Sequence, residues 1–80
     1  MNVSEEIKAC VLSAIPNADV VVVDAGGGHF EIKVVSSVFS GKSLLQKQRL
    51  VYSAIADLMK GSEAPVHAIN QLQTLVPEQS

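Results

Sequence analysis

The chain has no tryptophan, and its aromatic residues are only Phe30, Phe39 and Tyr52. Any core must therefore be built from valine, isoleucine, leucine and alanine, and an apolar fraction of 48% supplies enough of them. Cys10 is the single cysteine, which excludes an internal disulfide. No apolar run approaches the roughly 20 residues that a membrane-crossing helix needs. The start, MNVSEEIKAC, carries acids where a secretory leader carries cations. These absences lead to the expectation of a reducing compartment, the cytoplasm. At 80 residues the chain is expected to form one domain, residues 1–80, with a modest core and a thin margin of stability.

A general surplus of positive charge is also missing. The formal net charge is −2, which argues against a general nucleic-acid binder. The charge is unevenly placed, however. Glu31, Lys33, Lys42, Lys47 and Arg49 give residues 25–53 a net charge of +3, and both flanking segments are net acidic. Within that middle segment lies the stretch FSGKSLLQKQR, a glycine-bearing turn followed by a basic helix start. Lys42 there stands beside a helix N-terminus, whose free N–H groups also attract anions. Spacing alone favours a solvated helix face over a contact with phosphate.

Hydrophobic periodicity sets the elements. Val3, Ile7, Cys10, Val11 and Ala14 recur at helical spacing, Asn2 can cap them, and Pro16 closes the segment, which predicts a helix over 3–15. Val20–Val23 are too β-branched and too short a run for a helix and read as a strand. AGGG reads as a turn, and HFEIKVV as a second strand with Phe30, Ile32 and Val34 on one face. Ser43 and Gln46 make a capping-box pattern, and Gly61 is a stop, giving a helix over 43–60. Its expected apolar stripe is Leu44, Val51, Ile55 and Leu58, widened by Leu45, Tyr52 and Met59. VHAINQL, residues 66–72, reads as a third strand, with His67 and Ile69 on the face opposite Val66 and Ala68. Residues 73–80 are expected to be a frayed tail.

The expected fold class is therefore α+β in the order α-β-β-α-β. The first two strands form an antiparallel hairpin. The third joins the second in parallel after a helical crossover, and both helices cover one face of a three-stranded mixed sheet.

Catalysis finds little support. Cys10 lies on the apolar side of its helix, where cysteine behaves as a small hydrophobe, and the carboxylates are scattered. GGGHF lacks the G-x-G-x-x-G spacing, and no helix follows it. His29 and His67 are the only histidines. Far apart in sequence, they read first as structural, yet strand pairing can bring them together. Two ligands alone cannot close a metal site, so a partner would have to supply the rest.

Phe39-x-Gly41, then Arg49 with Leu50-Val51-Tyr52, then Val66-His67-Ala68 closely resemble the BolA family, as does the strand HFEIKVVSSVF before them. The resemblance covers almost the whole chain and implies a fold similar to type II KH domains. It also implies a non-enzymatic role in iron–sulfur assembly, trafficking or iron-status signalling: partnership with a monothiol glutaredoxin and a shared, bridged [2Fe–2S] cluster. His67 is then a ligand of that cluster. The family's second ligand is a Cys or His in the loop between the first two strands. Gly26 stands at that place here, and His29 is the residue left to serve. The glutaredoxin's active-site cysteine and glutathione would complete the set. The isolated chain is then expected to be monomeric and free of cluster. Some members are described as DNA-binding transcription regulators, so the alternative function is nucleic-acid binding through Lys42, Lys47 and Arg49. Gln48 stands in KQR where many members have histidine.

Overall fold

The structure, a computed structural model, describes residues 2–79. Helix α1 spans Val3–Ala14, strand β1 Asp19–Gly26, strand β2 His29–Val35, helix α2 Leu44–Met59 and strand β3 Ala68–Leu75. Short 3-10 turns occupy Ser37–Phe39 and Pro77–Gln79.

Asn2 caps α1 through Oδ1, which accepts the Glu5 N–H at 2.8 Å, and Glu5 and Glu6 lie at the positive end of the helix dipole. The helix ends at Ala14, because Ile15, before Pro16, has left helical geometry (φ −129°, ψ 79°). β1 is longer than the four valines. It runs on through Ala25 and Gly26, and only Gly27–Gly28 remain as the turn. A register irregularity between Asp24 and Gly26 absorbs the extra residue, and Asp24 Oδ1 accepts the Gly26 N–H at 2.8 Å. Gly27 and Gly28 have φ of 64° and 82°, the sign that a two-residue type I′ hairpin turn requires at both positions.

The sheet order is β1-β2-β3, with Val22 opposite Ile32 in the antiparallel pair and Ile32 opposite Leu72 in the parallel pair. Phe30, Ile32 and Val34 alternate onto the covered face of β2. There they join Ile7 and Val11 of α1, Val51 and Ile55 of α2, and Phe39 in one buried cluster. Each such side chain contributes about 1.5–3 kcal/mol on burial. The other face carries the half-exposed Val21 and Val23 with Glu31, Lys33, Gln71 and Gln73.

Two expectations need correction. β3 starts at Ala68 and continues to Leu75, so residues 73–75 are strand rather than frayed tail. Lys33, Val34 and Val35 of β2 offer ladder partners to Gln73, Thr74 and Leu75, and the Leu75 carbonyl accepts the Ser36 N–H at 2.9 Å. Thr74 is buried on the covered face, while Gln71 and Gln73 point outward. The polar look of this stretch is that of a strand with one wet face. Residues 77–79 then form the 3-10 turn, and Ser80 lies outside the described residues.

The apolar stripe of α2 is also narrower than its sequence implies. Val51 and Ile55 are buried and Leu58 and Met59 partly so, but Leu44 is 60% exposed, Leu45 56% and Tyr52 39%. Tyr52 lies about 100° around the helix from Val51, and Leu45 shares that flank. Leu44 precedes the buried Val51 by two turns.

The capping box is complete. Ser43 Oγ accepts the Gln46 N–H at 3.2 Å, and Gln46 Oε1 accepts the Ser43 N–H at 2.9 Å. Ser43→Ala should cost about 1 kcal/mol, which lowers the melting temperature of a domain this size by about 4–8 °C. A thermal melt followed by circular dichroism checks this, and an unchanged midpoint would show the cap to be energetically idle.

Candidate functional site

The chain returns from α2 through Val66, which is 1% exposed and whose N–H donates to the Leu58 carbonyl at 3.1 Å. This buried anchor fixes the residue after it. The His67 N–H donates to the Gly28 carbonyl at 2.8 Å, and the Ala68 N–H donates to the same oxygen at 3.3 Å. His67 therefore sits just before β3, bound by its backbone to the hairpin turn.

Its side chain is exposed, and strand alternation is not the reason. Ile69, placed with His67 on the open face by alternation, packs against the core instead. His67 precedes the strand, and its ring lies over Gly28. A β-carbon at position 28 would stand 2.9 Å from His67 Cγ and 3.0 Å from Nδ1, so the missing side chain of Gly28 is the space the ring uses. Among the described residues, no hydrogen bond engages the His67 ring nitrogens.

His29 opens β2 and lies opposite Ala68, the residue that follows His67, in the parallel register. It is exposed and shares alternation with Glu31 and Lys33. Its Nδ1 is 2.9 Å from Asn70 Oδ1. Asn70 reaches it through an irregularity in β3: the register passes from Phe30–Ile69 directly to Glu31–Gln71, leaving Asn70 as the extra residue. Sequence reading missed Asn70 because a bulge is visible only in the pairing. Gly28 carried a signal, its place in a glycine run, but nothing there named His67 as the beneficiary.

Among the described residues, no group of three or more His, Cys, Asp or Glu side chains is placed to hold a metal. The hairpin end thus offers two imidazoles and no third ligand. Gly26, at φ 91°, has a backbone that an L side chain rarely adopts. Cys10 is half-buried in α1 and packs against the core, as a small hydrophobe does.

Lys42, Lys47 and Arg49 lie elsewhere. β2 runs away from the histidines for seven residues, about 20 Å, before the Ser37–Phe39 turn leads into α2. The cations therefore stand at the opposite end of the sheet. Lys42 and Arg49 are exposed and, with Gln46, Leu50 and Ser53, line a cavity of about 310 Å³; Lys47 is half-buried. Among the described residues the one ion pair is Lys60–Asp57, at 3.0 Å, so none of these three cations is paired. No acid occurs between Glu31 and Asp57 in the sequence. The exposed Leu44 and Leu45 belong to the same half of α2, and Tyr52 follows it directly.

The fold and the site together define a small α+β module that presents imidazoles at its hairpin end and cations at the other. Comparison with known proteins agrees with the fold. The model of the family described as "BolA-like protein" matches residues 7–79. The chain is 33% identical over 82 residues to "Protein BOLA2" of Arabidopsis thaliana, covering 99% of this chain and 84% of that one. It is 47% identical over 51 residues to human "BolA-like protein 1", covering 64% of this chain but only 34% of that longer relative. Among solved structures, BolA1 from Arabidopsis thaliana superposes with a TM-score of 0.85 at 22% identity, covering 100% of this chain and 98% of the other. The chain belongs to the BolA-like family.

Proposed function

We propose that the chain is a non-enzymatic adaptor that docks a monothiol glutaredoxin and contributes His67, with His29 beside it, to a shared [2Fe–2S] cluster. The observation that carries this reading is the His67 ring: exposed, cradled on Gly28 and free of hydrogen bonds among the described residues. The donor set fits a shared group rather than a resident one. Two neutral imidazoles are competent iron ligands, and two are too few to hold a cluster without a partner. Imidazole in place of thiolate on one iron raises the reduction potential of such a centre. The glutaredoxin's cysteine and glutathione supply the remaining ligands.

The test is to mix the purified chain with a glutathione-loaded, cluster-bearing monothiol glutaredoxin and follow visible absorbance and circular dichroism. The expected result is a colourless chain alone and a changed cluster spectrum in a one-to-one complex. A stable brown chain without partner, or an unaltered glutaredoxin spectrum, would overturn the proposal.

The alternative is a nucleic-acid-binding regulator, resting on Lys42, Lys47 and Arg49, which meet no carboxylate among the described residues. A net charge of −2 and the lack of a G-x-x-G loop weigh against it. The apolar Leu44, Leu45 and Tyr52 beside the cations suit a protein surface better than a phosphate backbone.

A further inference from the structure

We infer that Asn70 is a positioning residue that sets the tautomer of His29 and leaves its Nε2 lone pair directed outward as a ligand; this rests on the cluster-sharing role proposed above. The contact between His29 Nδ1 and Asn70 Oδ1, at 2.9 Å, lies within hydrogen-bond range. An amide oxygen only accepts, so the shared proton resides on Nδ1. A neutral imidazole carries one ring proton, and Nε2 is then the basic nitrogen. Free histidine prefers the opposite arrangement, with the proton on Nε2. Asn70 therefore works against the intrinsic preference of the ring and toward ligation through Nε2. A carbonyl oxygen that accepts the N–H of a ligating histidine's other ring nitrogen performs this task in metal sites generally.

The backbone is arranged for it. Were β3 regular, the residue after Ile69 would pair with Glu31. The bulge makes Gln71 the partner of Glu31 and frees Asn70 to turn toward His29. The two histidines are thus held by different devices. His67 is placed by shape, on the space that Gly28 leaves, and His29 by a hydrogen bond. Both His29 and Asn70 are exposed, so the hydrogen bond competes with water and the expected readout is a shifted tautomer population.

The test is long-range proton–nitrogen NMR of the 15N-labelled full chain at alkaline pH, where a free imidazole is neutral. In the parent, His29 should show Nδ1 as the protonated nitrogen in the majority of molecules. Asn70→Leu should return the majority proton to Nε2. Asn70→Asp, which can accept but not donate, should keep it on Nδ1. The His67 nitrogens should be unmoved in both variants, and the backbone amide spectrum reports that each is folded. A parent with the proton mainly on Nε2 of His29 would overturn the inference. So would an Asn70→Leu spectrum like the parent's, or an Asn70→Asp spectrum with the proton moved to Nε2. The ligand role is read separately, by pulsed electron paramagnetic resonance of the reduced cluster complexed with the monothiol glutaredoxin. Two imidazole nitrogen couplings are expected in the parent, with the His29 coupling weakened in Asn70→Leu. Both couplings retained at parental strength in Asn70→Leu would overturn the positioning role of Asn70. A parent showing only the His67 coupling would overturn it as well, with the shared cluster intact. Loss of the proposed function itself looks different: no histidine coupling would appear in any complex, while the tautomer shifts remained readable in the chain alone.

Discussion

Phe39→Ala should be the most damaging single truncation in this domain, with an expected loss of about 3–5 kcal/mol. Phe39 is 1% exposed and is among the largest fully buried side chains. It also ends the Ser37–Phe39 turn, which is tied by the Phe39 N–H to the Ser36 carbonyl at 3.2 Å and by the Lys42 N–H to the Phe39 carbonyl at 3.1 Å. Removing the ring opens a cavity beneath the segment that hands β2 to α2. Small domains have about 5–15 kcal/mol of stability in total, and one this short belongs near the lower bound. At about 4–8 °C per kcal/mol, the melting point should fall by more than about 12 °C. Urea unfolding followed by circular dichroism checks the value. Val38→Ala, in the same turn but with Val38 50% exposed, should stay within about 0.5 kcal/mol of the parent. Equal costs for the two would mean that the ring does not anchor the turn.

The elements that were legible in the sequence are those where one short-range rule acts alone. Ser43 and Gln46 sit three apart and the side chain of each accepts the other's backbone N–H, so the start of α2 followed from spacing. Phe30, Ile32 and Val34 alternate onto one buried face, so β2 and its orientation followed too. What the sequence concealed depends on partners. Residues 73–75 are polar or lone apolar positions that become strand because β2 has edge to spare. Leu44, Leu45 and Tyr52 fit a helical stripe but stay exposed, Leu45 and Tyr52 on its flank and Leu44 two turns before Val51. At the site, His67 and His29 could be named from the resemblance, and parallel pairing sets His29 opposite Ala68, the residue after His67. The cradle at Gly28 and the bond from Asn70 could not be named, because both arise where separate strands meet.

The distance between the two ends of the sheet makes the functional reading sharp. A partner centred on the hairpin end need not touch Lys42, which lies beyond the far end of β2, a strand about 20 Å long. His67→Ala and Lys42→Ala should therefore behave as independent lesions, since well-separated sites add. His67→Ala trims an exposed ring that packs on a glycine, and the His67 backbone N–H that holds the Gly28 carbonyl is retained by alanine. Its effect on stability should be within about 0.5 kcal/mol. Its effect on the mixed complex with cluster-bearing glutaredoxin should be the loss of the histidine-ligated spectrum. His29→Ala should weaken the same signal less, because His67 remains. A merely structural His67 predicts the reverse: a lower unfolding midpoint and an unchanged cluster spectrum in the folded fraction. Urea unfolding of the variant, paired with the absorbance and circular dichroism of its glutaredoxin mixture, separates the two. An unaltered spectrum in a folded His67→Ala complex removes the imidazole from the cluster, and with it the reason for presenting that ring at the surface.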